Sequence, residues 1–192
     1  MFGINPLMMT VTRIPAITKL NPADKAAGVT LSNDDLTASA STAAFSVRGT
    51  VSKSSGKWCF ECTFDAIATN TGCGLANSTY SVTATPGGTT NSIILRANGQ
   101  IVRSSVIGNL GVAFAAGDRA LIALDRDAGT VWLGRNGIWD GDPAAGTGGY
   151  AAPASALFPL VSPSGTAAFG QITANFGDGF LYPIPSGFLA WG

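Results

Sequence analysis

Residues 117–143, GDRALIALDRDAGTVWLGRNGIWDGDP, constrain the fold more than any other stretch of the chain. Two apolar runs, 119–124 and 130–135, flank the polar turn Asp125-Arg126-Asp127-Ala128-Gly129. Asn136-Gly137 then closes the unit and leads to Ile138 and Trp139. Asn-Gly between apolar runs marks a type I′ hairpin, because both turn residues must tolerate positive φ. In the first run Ala120, Ile122 and Leu124 share one face, and Leu121 and Ala123 the other. A strand apolar on both faces needs cover on both sides, which places this hairpin inside a stack of two sheets.

The rest of the chain repeats the theme of short runs and turns. Ser32-Asn33-Asp34-Asp35 joins runs at 29–31 and 36–38; runs at 45–51, 57–64 and 73–76 follow. Residues 92–96 and 100–106 flank Ala97-Asn98-Gly99, a second hairpin signal, and further runs occupy 158–161 and 171–176. No helical period lasts beyond about two turns. Many short strands with frequent turns specify an all-β, two-sheet antiparallel sandwich. Residues 80–91 and 140–153, rich in Gly, Thr, Pro and Ala, read as surface loops.

Residues 1–20 stand apart. They are apolar but aperiodic, and Pro6 and Pro15 exclude a helix or a central strand. Such a segment cannot bury Met8, Met9, Val11, Ile14 and Ile17 by itself, so residues 1–20 are expected to be a docking arm and 21–192 the sandwich. The arm lies across the domain or a neighbouring subunit, or else folds back on its own sandwich.

Composition narrows function. Eleven basic residues balance eleven acidic ones, which argues against nucleic acid held by counterion release. Only 11% of residues are charged, so little repulsion keeps copies apart and homo-oligomers or docking on a larger body are expected. Histidine is absent and Glu61 is the only glutamate, which removes Ser-His-Asp and Cys-His pairs and any His metal ligand. No run of about 18 apolar residues is present to span a membrane, and the N-terminus lacks the basic and apolar regions of a signal peptide.

Candidate constellations reduce to structural roles. Cys59 and Cys62 are three apart in a strand and point to opposite faces, so they cannot chelate one metal; with Cys73 they read as buried thiols. The loop opening at Asp125 fails as an EF-hand, having Thr130 at its sixth position and Asn136 at its twelfth. Asp140, Asp142 and Asp178 are explained by turn chemistry. Glu61 has no carboxylate at i±2, against the paired carboxylates of glycoside hydrolysis. No catalytic residue, metal or cofactor is expected. Trp58 and Trp132 sit within apolar alternation and read as core. Tyr80, Trp139 and Tyr150 lie in or beside the long loops and are the candidates for stacking on a sugar or anchoring a protein.

Five blocks carry a family resemblance. Gly56-Lys57-Trp58-Cys59-Phe60-Glu61 resembles the GKWYFEV strand of SPRY domains, and Gly72-Cys73-Gly74-Leu75-Ala76 their vGla strand. Gly117-Asp118 with residues 120–125 is similar to GDvigvalD, residues 131–137 to v.f.kNG, and Ala174-Asn175-Phe176-Gly177 to vNFG. The blocks keep the family order, with Cys59 in place of the usual aromatic and Cys73 of the usual Val. The resemblance implies a concanavalin-like jelly roll acting as a non-catalytic binding or scaffolding module. Residues 21–33 also resemble the entry segment of SPRY-type proteins coded by phages and bacteria. The expected function is therefore a phage virion structural protein, docked through its arm on other virion proteins of a capsid or tail. The alternative is a carbohydrate- or receptor-binding adhesin that meets a host-surface glycan or protein through loops 77–91 and 139–152.

Overall fold

The computed structural model describes residues 17–40, 45–164, 170–177 and 179–192. The strands in chain order begin with β1 Leu20–Lys25, β2 Val29–Ser32, β3 Thr37–Ala40 and β4 Val47–Gly49. Next come β5 Lys57–Ala66, β6 Gly72–Asn77, β7 Ser92–Arg96, β8 Gln100–Arg103 and β9 Ser105–Asn109. Then follow β10 Arg119–Asp125, β11 Thr130–Arg135, β12 Ile138–Trp139 and β13 Tyr150–Ala151. The last are β14 Leu157–Ser162, β15 Gly170–Asn175 and β16 Leu189–Ala190. Among the described residues no helix is long and apolar enough to cross a membrane.

Two sheets form. One runs β1-β4-β14-β6-β7-β8-β9; the other runs β12-β11-β10-β5-β15-β3-β2, with β13 added to β11 and β16 to β5. The β16 pairing is parallel and the other pairings are antiparallel. The central strand β5 obeys the period of two. Phe60, Cys62 and Phe64 point into the space between the sheets, against Leu75, Ile93, Leu95, Ile122 and Ile172. Register holds them there, Ile122 standing opposite Phe60 on one side and Leu133 on the other.

Trp191 closes this core from the C-terminus. Its ring meets Phe60 edge-on at 5.4 Å between centroids, and its indole N–H donates to the Val51 carbonyl at 2.9 Å. Such an aromatic pair contributes about 0.5–1.5 kcal/mol beyond area burial. Trp132 is buried as expected but on the outer face of its sheet, whereas Trp58 is half-buried with the Lys53 ammonium 3.5 Å above its ring.

The hairpin of β10 and β11 lies within the expected two-sheet stack and is covered on both faces, its inner face by the opposite sheet and its outer face by a strap. The outer face, with Cys59, Ala123 and Trp132, is covered by Phe180, Ile184 and Phe188 together with Trp139. A strap rather than a sheet does the covering because Pro183 and Pro185 break the donor pattern of a strand. The strap is pinned at its start, where the Leu181 N–H donates to Glu61 Oε1 at 3.1 Å.

A correction concerns residues 100–106, expected as one strand. They divide between β8 and β9, with Ser104 at φ 61° turning the chain. Of the arm, Met8, Met9, Val11 and Ile14 lie outside the described residues; Ile17 is exposed, and Leu20, fully buried, opens β1 opposite Gly49.

Candidate interaction site

Both sheets end on the same flank of the sandwich, and the gap between their last strands is the site. β9 is the terminal strand of one sheet, and β12 and β13 lie along β11 at the end of the other. The two edges touch: Tyr150 of β13 lies against Gly108 of β9, and Arg103 donates to the Ala151 carbonyl at 3.1 Å. Beside that contact is a groove of about 190 Å³ lined by Asn109, Leu110, Val112, Arg135, Ile138 and Asp140. Two of its lining side chains stand out to solvent, Ile138 (75% exposed) and Val112 (53%), and the adjoining strand β9 exposes Val106 (51%) and Ile107 (40%). Isolated exposed apolar residues are ordinary; two in a groove wall and two on the adjoining edge strand make this flank the candidate contact surface.

Local sequence chemistry builds the groove wall. Asn136 and Gly137 both have positive φ, 50° and 84°, as a type I′ turn requires. That turn sends β12 back along β11 and leaves Ile138 outside. Asp118 ties the turn down: its carboxylate accepts from Arg135 at 2.6 Å and from the Asn136 amide at 2.6 Å, while Asn136 Oδ1 accepts the Arg119 N–H at 2.8 Å. Burial works against ionisation of Asp118, but the Ala115 N–H, Asn136 and Arg135 outweigh it and hold the carboxyl below the usual carboxylate range. Arg135, neutralised by Asp118, stacks over Phe114 at 5.5 Å. Asp140 accepts the Tyr150 hydroxyl and has no cationic partner among the described residues. Burial first, then the Asp140 bond and charge, push the Tyr150 hydroxyl up to about 12.

The three aromatic candidates are placed differently. Tyr80 is buried, its hydroxyl bonded to Ser46 at 3.0 Å and donating to the Ala84 carbonyl at 2.7 Å, so it has no free face for a ligand. Trp139 is half-buried under the strap cluster, and Tyr150 is half-buried with its ring against the main core. The structure brings Trp139 and Tyr150 to the groove's flank and leaves Tyr80 elsewhere.

The remaining polar groups have structural partners, except that the buried Oε2 of Glu61 has none among the described residues. Glu61 is fully buried, and its Oε1 accepts from Arg119 at 3.1 Å, from Asn175 at 3.3 Å and from Leu181. Asp125 accepts from the Ala128 N–H at 2.9 Å and pairs with Lys57 at 3.1 Å, and Asp127 accepts from the Gly56 N–H. Among the described residues no group of three or more His, Cys, Asp or Glu is placed to hold a metal. Cys59 lies in the outer cluster, Cys62 and Cys73 in the main core.

Val106, Ile107, Val112 and Ile138 were not among the sequence's candidates. Aliphatic residues in short runs read as core, and only the turn at Ser104 turns Val106 and Ile107 into members of a separate edge strand.

No protein-family model matches the sequence, and no curated protein matches it. Solved structures do. The chain is similar to the SPRY domain of human HERC1, with 17% identity and a TM-score of 0.62 over 81% of this chain and 96% of that one. It is similar to the TRIM65 PSpry domain at 12% identity and TM-score 0.62, over 82% and 91% of the two chains. Stonustoxin matches at 17% identity and TM-score 0.59, the match spanning 82% of this chain but 27% of the toxin chain. The fold is a SPRY-like, two-sheet β-sandwich.

Proposed function

We propose that this chain is a non-enzymatic structural and interaction module that meets other proteins through the flank where the two sheets end. The observation that carries this is the groove walled by exposed Val112 and Ile138, beside the edge strand β9 with its exposed Val106 and Ile107. SPRY-like folds elsewhere serve as protein-interaction modules, and a low-charge surface supports stable contact with a protein rather than with nucleic acid. The deep carboxylate, Glu61, is roofed by the strap and committed to three donors, which supports the non-catalytic reading.

In its finer form the module is a phage virion component, docked on a capsid or tail lattice by its N-terminal arm. Support comes from the phage-like entry segment at residues 21–33 and the apolar residues that precede it. Mass spectrometry of particles purified from the chain's source is expected to find it at fixed stoichiometry, and to lose it when Val112→Asp and Ile138→Asp are introduced. Recovery only as free protein would overturn the virion reading; unchanged incorporation of the double variant would overturn the groove.

A further inference from the structure

We infer that β9 is an acceptor edge, and that the strand it accepts is residues 7–14 of a second copy of this chain. The inference rests on the interaction-module reading and gives that module's partner.

Sheet edges are normally defended, and three of the four ends here are. β1 carries Pro22 and the charges of Asp24 and Lys25. β2 has its Val29 carbonyl occupied by the Lys25 ammonium at 2.7 Å. β12 is two residues long. β9, Ser-Val-Ile-Gly-Asn, has no charge and no proline, and among the described residues its free side pairs with no strand. An open edge with apolar side chains recognises an extended, largely apolar segment through main-chain hydrogen bonds, with alternate side chains filling the neighbouring groove.

The chain supplies such a segment. Between Pro6 and Pro15 lie Leu7-Met8-Met9-Thr10-Val11-Thr12-Arg13-Ile14, with neither Pro nor Gly. Thr10, Val11, Thr12 and Ile14 are β-branched, which suits a strand. In extended form Leu7, Met9, Val11 and Arg13 share a face. That face is apolar at three positions and cationic at the fourth, to set against a groove whose Asp140 lacks a cation among the described residues.

Reach decides between the chain's own arm and a neighbour's. Six peptide steps separate Ile14 from Leu20, the start of β1, a span of at most about 22 Å. β1 and β9 are opposite edges of the same sheet, six strand spacings or roughly 29 Å apart. Measured across the sheet, a chain's own residues 7–14 fall short of its own β9. The contact is therefore made between copies, head to tail, and because the donor and acceptor surfaces differ it builds rings or filaments rather than a closed two-fold pair.

The test uses two full-length variants: an arm variant, Met9→Asp with Val11→Asp, and an edge variant, Val106→Lys with Ile107→Lys. Both edge positions are exposed, so the sandwich should keep its wild-type circular dichroism and melting profile. Sedimentation velocity is expected to show self-association of the wild type and a monomer for each variant alone. Mixed, the two are expected to form a 1:1 complex, since one keeps the acceptor edge and the other the donor arm. A wild type that stays monomeric, or a mixture that does not combine, would overturn the inference. Self-association that survives the edge lysines would also overturn it, while leaving the groove reading to its own test with Val112→Asp and Ile138→Asp.

Discussion

Tyr150 lies against Gly108 so closely that its hydroxyl fills the space a side chain at 108 would need. This one contact joins the last strand of one sheet to the flank of the other, because Tyr150 sits opposite Val131 and Gly108 opposite Ile101. Gly108→Ala is expected to force the edges apart and to cost about 1–3 kcal/mol as an overpacked contact. Tyr150→Phe in the same chain should restore part of the loss by removing the clashing hydroxyl. Chemical denaturation of the two single variants and the double variant measures the coupling; additive effects would show that the two residues do not meet.

The start of the strap is pinned by a single acid. Glu61→Ala removes the acceptor of the partly exposed Arg119 guanidinium and of the Leu181 N–H, and the expected cost is about 1.5–3 kcal/mol. Glu61→Gln keeps one oxygen acceptor and should cost much less. Hydrogen exchange would show the strap amide of Leu181 losing protection in Glu61→Ala before the core strands do.

Thiol chemistry should be silent in the native protein. Cys59, Cys62 and Cys73 are all buried, and burial with the nearby Glu61 charge pushes Cys59 up to about 12. An aromatic disulfide reagent at neutral pH is expected to label none of them until denaturant is added. Rapid labelling of the folded chain would show that the strap over Cys59 opens readily.

Stability should be flat around neutrality and fall at both extremes. No histidine is present, so no side chain of ordinary neutral-range pKa titrates between about pH 6 and pH 8. Asp118 and Asp125 have folded-state values below their unfolded ones, so the unfolded chain takes up more protons on acidification. Their contribution is complete above the ordinary carboxylate range and is lost as the pH falls through it toward the lowered folded values. Tyr80 and Tyr150 are raised from 10.0 to about 12, and Cys59 from 9.0 to about 12. The folded state holds these protons after the unfolded state has released them, so stability is lost as the pH rises from about 9 toward 12. Denaturant midpoints measured across this range should trace that plateau with two declining limbs.

Much of the fold could be read from the chain. Asn136-Gly137, the alternation of residues 57–64 and the two-faced apolar run at 120–124 located the hairpin, the central strand and the need for double cover. What covered the outer face could not be read, because Phe180, Ile184 and Phe188 carry no strand or helix period. The site was less legible. Tyr80 looks like a loop aromatic, but its hydroxyl finds Ser46, distant in the chain, as well as the nearby Ala84 carbonyl. Val106 and Ile107 look like strand core until Ser104 takes a positive φ, a conformation its residue type does not advertise.

The most direct test of the interaction flank is hydrogen exchange of the full-length chain at low and high concentration. We expect the amides of Val106, Ile107 and Gly108 to slow as concentration rises, with the strands of the opposite edge, Leu20–Lys25, unchanged. Protection that appears along Leu20–Lys25 instead, or exchange at β9 that is indifferent to concentration, would contradict it.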